Sequence, residues 1–172
     1  MVHPDYQYDP RLVPFFTGYV TSDVCGVMLG CRGRTRAETL AAGMPWGKYL
    51  ANRFLTIVEN VALGQNLGDF HSGFRVYSRK VLETIPFEQN SDNFVFDSGF
   101  LAQGAYYGFR IGDAPIPCRY FEEASSIKLW PSTVYGLSTL AVLGKYWLAR
   151  LRLWRFPIFA GEIGAARREA TT

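Results

Sequence analysis

The sequence is short of charge, short of cysteine and without a long apolar run. Charged residues fill 19% of the 172 positions, against about 25% in an ordinary soluble domain. Hydrophobic residues reach 48% and aromatics 16%, which excludes a disordered chain, whose signature is high charge with few apolar residues. Three cysteines, Cys25, Cys31 and Cys118, are too few for a disulfide-stapled scaffold, and no CxxC pair occurs among them. The usual zinc and thiol-redox signatures are therefore missing. A net charge of +3 is too small to argue for nucleic acid, and no nucleic-acid partner is expected. The opening residues MVHPD have neither the basic start nor the apolar run of a secretory leader. The longest stretch free of Asp, Glu, Lys and Arg, 129–144, is shorter than the ~20 apolar residues of a spanning helix. Low charge with many aromatics implies that a partner or lipid covers part of the surface.

What is present alternates between the two secondary-structure periods. Asp9 followed by Pro10 is a helix start. The apolar run 24–29 before Gly30 suits a buried strand, and 32–38 reads as a charged loop. Pro45 opens the clearest helix, with Leu50, Phe54, Ile57 and Val61 on one face and Gly64 at its end. Polar, glycine-rich 65–73 is a loop, and 74–77 a strand. Ser78 caps a short helix stopped by Pro86; Ser91 or Asp92 caps another that runs to about Tyr107. Strands follow at 109–111 and 116–121, then a loop at 122–128 and a last helix from near Pro131. Strands alternating with helices predict an α/β layer architecture.

Several residues carry chemistry. His3, Asp5 and Gln7 fall on alternate positions, so in an extended segment their side chains share a face. Asp5 with the Gln7 amide suits a hard cation shared with phosphates, and equally Asp5 could cap a turn. Asp69 could orient or deprotonate an acceptor hydroxyl, and Gly73 lets backbone approach a ligand closely. His71 is a second candidate base or a hydrogen-bonded bystander. Asp97, within apolar 94–97, is costly unless paired. It is either a base with a raised pKa or the partner of Arg75 or Arg119. Leu140, Leu143, Trp147, Leu151 and Trp154 form one stripe, with Lys145, Arg152 and Arg155 opposite and Arg150 at the border. That pattern favours a helix lying in a membrane interface, the alternative being one packed on protein.

Five segments in order carry a resemblance: HPDYQYDP at 3–10, GCRGR at 30–34, GMPWGKYLANRFLT at 43–56, DFHSGFRVYSRKVLETIPF at 69–87, and NFVFDSGFLAQGAYYGFRIGDAPIPCRYFEEASSIK at 93–128. Together they resemble the family-2 glycosyltransferases, inverting enzymes with a GT-A fold. Within that family they are most similar to the polyprenyl-phosphate group of the dolichyl-phosphate mannose synthase type. The resemblance begins at the family's metal motif, which implies the acceptor-side part of a catalytic domain without the half that cradles the nucleoside. It implies a partial GT-A-like, Rossmann-like domain with a mixed sheet at 1–130; beyond it, the residue pattern itself predicts an amphipathic membrane-interface helix at 131–157 and a flexible tail at 158–172. The resemblance implies transfer of a sugar from a nucleotide-sugar donor to a polyprenyl-phosphate or other acceptor. Asp5, Gln7 and His3 would hold Mn²⁺ or Mg²⁺, although the family pattern puts an Asp where His3 stands. Arg32, Arg75, Arg119, Ser72, Gly73 and Lys128 would bind substrate, and Asp69 and Asp97 would serve catalysis. The chain would sit peripherally at the inner, cytoplasmic face of the membrane. A phosphate acceptor is already an anion and needs no general base; an alcohol acceptor would. A catalytically inactive piece that binds membrane or a partner subunit is the competing expectation.

Overall fold

A computed structural model describes residues 1–32, 35–93, 95–119, 129–161, 163, 164 and 166, the side chains of 129–131 excepted. Lys128, the loop expected at 122–128 and most of the expected tail lie outside the described residues.

The architecture is mixed α/β. A three-stranded sheet has the order β2-β1-β3, with β1 at Val27–Cys31, β2 at Arg75–Tyr77 and β3 at Ile111–Pro115. β1 pairs antiparallel with β2 (Val27 with Tyr77) and parallel with β3 (Val27 with Ile111). All five residues of β1 are buried, as expected of a central strand covered on both faces. Alternation sends its side chains to two cores. Val27 and Leu29 join Phe70, Phe100, Leu101 and Tyr146 on one face, and Met28 joins Tyr8, Phe16, Phe74 and Ile116 on the other.

The second face is covered by α1 (Val13–Thr21), which continues the 3-10 turn Pro10–Leu12. Asp9 caps that turn by accepting from the Arg11 N–H. The first face is covered by α5 (Phe96–Tyr107) and α6 (Leu129–Arg150). Between β1 and β2 lie α2 (Arg36–Ala41) and α3 (Trp46–Leu63). Gly64, at φ 64°, ends α3 in the left-handed conformation that glycine accepts without strain. Ser78 caps α4 (Arg79–Thr84) through the Val81 N–H.

Four expectations change. The charged stretch expected as a loop contains α2, whose cap is Thr35 accepting from the Glu38 N–H. Among the described residues one strand, β3, stands where strands were expected at 109–111 and 116–121, of which 120 and 121 lie outside the described residues. α5 begins after Val95 rather than at Ser91 or Asp92, because Ser91 turns its hydroxyl to Asn93 instead. α6 stops at Arg150, and Arg152 takes φ 58°, so Trp154 and Arg155 lie beyond the helix. The apolar stripe of α3 faces outward: Leu50, Phe54, Ile57 and Val61 are all exposed, and Thr56, Glu59 and Leu63 are buried. α6 divides its stripe. Leu143 packs in the core with Val142, Tyr146 and Ala149, whereas Leu140, Trp147, Leu151 and Trp154 are exposed.

Candidate functional site

Two loops bring the expected site residues together. The first runs from the end of β1 and carries Arg32; the second, 65–74, leads into β2. Asp69 lies in the second loop, 2% exposed. Arg32 donates to it from Nε at 2.7 Å and from Nη2 at 3.2 Å, and the His71 backbone N–H donates at 2.9 Å. Asn52 of α3 adds a 3.3 Å bond. Burial alone would raise the Asp69 pKa, but the Arg32 charge and fork, joined by His71, hold it well below the usual carboxylate range. A carboxylate held this way is a weak base, since a useful base titrates near the working pH. Its geometry orients the Arg32 guanidinium.

Arg32 and Asp69 form one wall of a small pocket also lined by Thr39, Tyr49, Asn52 and Arg53. Arg53 is fixed by donating to the Gly68 carbonyl at 2.7 Å. Lys48 is near enough that burial, and then the Arg32 charge, lower its ammonium pKa. Arg32, just past β1, and Arg53 of α3 thus line one pocket, with Lys48 within the influence of Arg32, an arrangement suited to a phosphate-type anion. Lys48, Asn52 and Arg53 escaped the sequence reading. Their one signal was that Lys48, Asn52 and Arg53 are polar positions on the helix that carries the Leu50 and Phe54 stripe.

The second cluster surrounds Arg75, which has no exposed surface. It donates to the carbonyls of Ser72 at 2.7 Å, Phe70 at 2.8 Å and Asp97 at 3.2 Å, and its Nη1 lies 3.2 Å from Asp97 Oδ1. The expected substrate contact for Arg75 gives way to an internal brace, because no donor reaches the surface. The alternative partnership of Asp97 with Arg75 is the one observed. Ser72 is buried and accepts from the Phe74 N–H.

The first segment lies along this loop. Val2 bridges Phe74, His3 N–H donates to the Gly73 carbonyl, and the Gly73 N–H donates to the Tyr8 hydroxyl. What approaches the bare Gly73 backbone is the His3 ring, into which a Cβ at position 73 would run. His3 Nε2 is 4.0 Å from Asp97. The segment is not extended, since Tyr6 takes φ 56°, and Asp5 accepts from the Gln7 N–H at 3.1 Å. His3, Asp5 and Gln7 thus do not share a strand face. Among the described residues no three His, Cys, Asp or Glu side chains converge as a metal site. Asp5 with Gln7 is a set suited to a hard cation that keeps phosphate and water ligands, and too small for an all-protein cage. Arg119 is exposed and donates its backbone N–H to Gln7 O, beside this segment rather than beside Arg32.

The fold and site define a mixed α/β protein whose polar loops converge on a cationic pocket at the foot of an outward-facing apolar helix. No protein-family model matches the chain. It is similar to the low-salt glycan biosynthesis hexosyltransferase Agl6 of Haloferax volcanii, 28% identical over 128 residues, which cover 74% of this chain. The chain spans 30% of that relative's length. No solved structure matches.

Proposed function

We propose that this chain is the acceptor-side part of an inverting, family-2 type glycosyltransferase that works at a membrane surface. Its donor would be a nucleotide-sugar and its acceptor a polyprenyl phosphate. The observation that carries the proposal is the pocket lined by Arg32, Arg53 and Asp69, in which Asp69 holds the Arg32 guanidinium, next to the exposed Leu50 and Phe54 of α3. A lipid phosphate needs both parts, cations for its head and an apolar path for its tail. Similarity to a hexosyltransferase of glycan biosynthesis supports the same class.

In this mechanism the Arg32 fork, fixed by Asp69, grips the acceptor phosphate and aims one of its oxygens at the anomeric carbon. That oxygen attacks from the face opposite the leaving diphosphate. One C–O bond forms, the bond to the diphosphate oxygen breaks, and the configuration inverts. No proton has to be removed, in keeping with an Asp69 that is too weak a base to remove one. A divalent cation, Mn²⁺ or Mg²⁺, would be held by Asp5 and Gln7 and would neutralise charge on the leaving diphosphate. Arg75 holds the 69–74 loop from inside.

The membrane partner is supported by charge pattern. Among the described residues no helix is long and apolar enough to cross a membrane. α3 and α6 nevertheless present exposed Phe54, Ile57, Val61, Leu137, Trp147 and Leu148. The sole acid on α3 is buried Glu59, and α6 has none. Apolar and basic surface without acids suits anionic lipid at the cytoplasmic face.

Calorimetric titration with a water-soluble short-chain prenyl phosphate tests the pocket. Arg32→Gln and Arg53→Gln should each weaken binding at least tenfold, as expected for loss of a charge-assisted bond. Binding by the wild type that both variants retain would refute the assignment.

A further inference from the structure

Behind the pocket lies a buried polar cluster to which the mechanism above gives no part. Glu59 of α3 is 1% exposed, and its Oε2 lies 3.1 Å from Nε2 of His71, whose side chain is 9% exposed. The two atoms are in contact without hydrogen-bond geometry, and neither has a hydrogen-bond partner among the described residues. On its other side, His71 Nδ1 is 2.8 Å from the Tyr135 hydroxyl of α6. That hydroxyl is 3.1 Å from Ser98 Oγ of α5, which is 3.3 Å from Thr139 Oγ1 of α6. Burial pushes the Tyr135 phenol up to about 12, so it keeps its proton and remains a donor.

A carboxylate at a helix position that faces the core is expensive. Replacing such a pair by well-packed apolar residues is often neutral or stabilising, so stability alone does not account for Glu59. His71 does more than lie against it. Its ring is gripped from α3 and from α6, and its backbone N–H is one of the donors that hold Asp69. The ring is too enclosed to reach a substrate. Its two nitrogens face Glu59 and Tyr135, which leaves neither aimed at the pocket.

We propose that Glu59 and His71 are positioning residues: with Tyr135 they form a strut between α3 and α6 that sets the Asp69 loop, and through Asp69 the Arg32 fork. The functional meaning of this strut rests on the reading of the Arg32 pocket as the acceptor-anion site. The strut itself can be tested without a ligand.

The test follows the Arg32 Nε–Hε signal by NMR in the ¹⁵N-labelled 172-residue chain, assigned through Arg32→Lys. In the wild type this hydrogen should exchange slowly with solvent, because it is held in the 2.7 Å bond to Asp69. Glu59→Gln and His71→Asn should speed its exchange at least tenfold in chains that remain folded by circular dichroism. His71→Gln, which can still offer nitrogen to Glu59, should restore most of the protection. Val81→Ala, a core truncation far from the strut, should lower stability and leave the Arg32 signal in place. Tyr135→Phe removes one oxygen and carries the test should the His71 variants fail to fold. Arg32 exchange within twofold of wild type in the folded strut variants would overturn the proposal. A separate titration with pyrophosphate keeps the two ideas apart. If pyrophosphate leaves the wild-type Arg32 signal unmoved, the anion reading falls, while the exchange data still decide the strut.

Discussion

Removing the charge of Asp69 would leave the Arg32 fork facing an amide inside the protein. Loss of one partner of a buried pair costs about 3–5 kcal/mol, so Asp69→Asn should be less stable by about 3 kcal/mol at pH 7. The sign of the pH dependence follows from the depressed folded pKa. Stability from Asp69 is fully present above the unfolded value of about 3.9. It is lost as pH falls through the lower folded value, when both states become protonated. The gap between wild type and Asp69→Asn in urea denaturation should therefore narrow below about pH 4; a gap constant from pH 7 to pH 3 would contradict the pairing. Gly30 makes a second prediction of the same scale. A Cβ there would strike Ile116 Cδ1 and come within 3.2 Å of Phe74 Cβ, and both side chains are buried. Ile116 has no room to swing aside, so Gly30→Ala should destabilise by about 1–3 kcal/mol, read as a shift in denaturation midpoint.

α3 and α6 are the elements on which the membrane proposal stands. Because Phe54 and Ile57 are 63% and 57% exposed, Phe54→Ser with Ile57→Ser should change folding stability by no more than about 0.5 kcal/mol each. The same pair should weaken co-sedimentation with anionic vesicles; a large loss of stability would mean the stripe is packed. Replacing Lys145, Arg152 and Arg155 by Gln should weaken vesicle binding by about 3 kcal/mol at low salt, at roughly 1 kcal/mol per basic residue. The loss should shrink at high salt, where screening has already removed much of the attraction. These elements also show how far a sequence can be read. Pro45, the spacing of the stripe and Gly64 place α3 to within a residue, since capping and periodicity are local properties. Which way the stripe points is not local, because amphipathicity does not say whether protein or lipid covers the apolar side. α2 has too little apolar pattern to declare itself, and its Thr35-x-x-Glu38 spacing was the available signal. Arg32 and Asp69 were legible as residue types through the family resemblance, but the pairing of Glu59 with His71 needs the tertiary fold.

At the scale of the whole molecule, Cys25, Cys31 and Cys118 are all buried thiols. Burial raises the Cys25 pKa, which lowers its thiolate fraction and its reactivity. Alkylation of the native protein should therefore be slow and should accelerate with urea in step with unfolding; fast labelling in buffer would mean that the sheet opens locally. Cys25 precedes β1, Cys31 is its last residue and Cys118 follows β3, so the thiols also report on the register that joins Val27 to Ile111. That pairing has a consequence in time. β1 meets β2 across a shorter stretch of chain than the one separating it from β3, and closing a longer loop costs more entropy before any contact repays it. During refolding the central strand should gain its antiparallel neighbour first and wait for its parallel one. In that interval one edge of β1 is bare while the outward stripe of α3 is also uncovered, which is a setting for intermolecular association. Refolding yield should then fall with protein concentration more steeply than native stability would suggest, and lipid vesicles supplied from the start of renaturation should raise it.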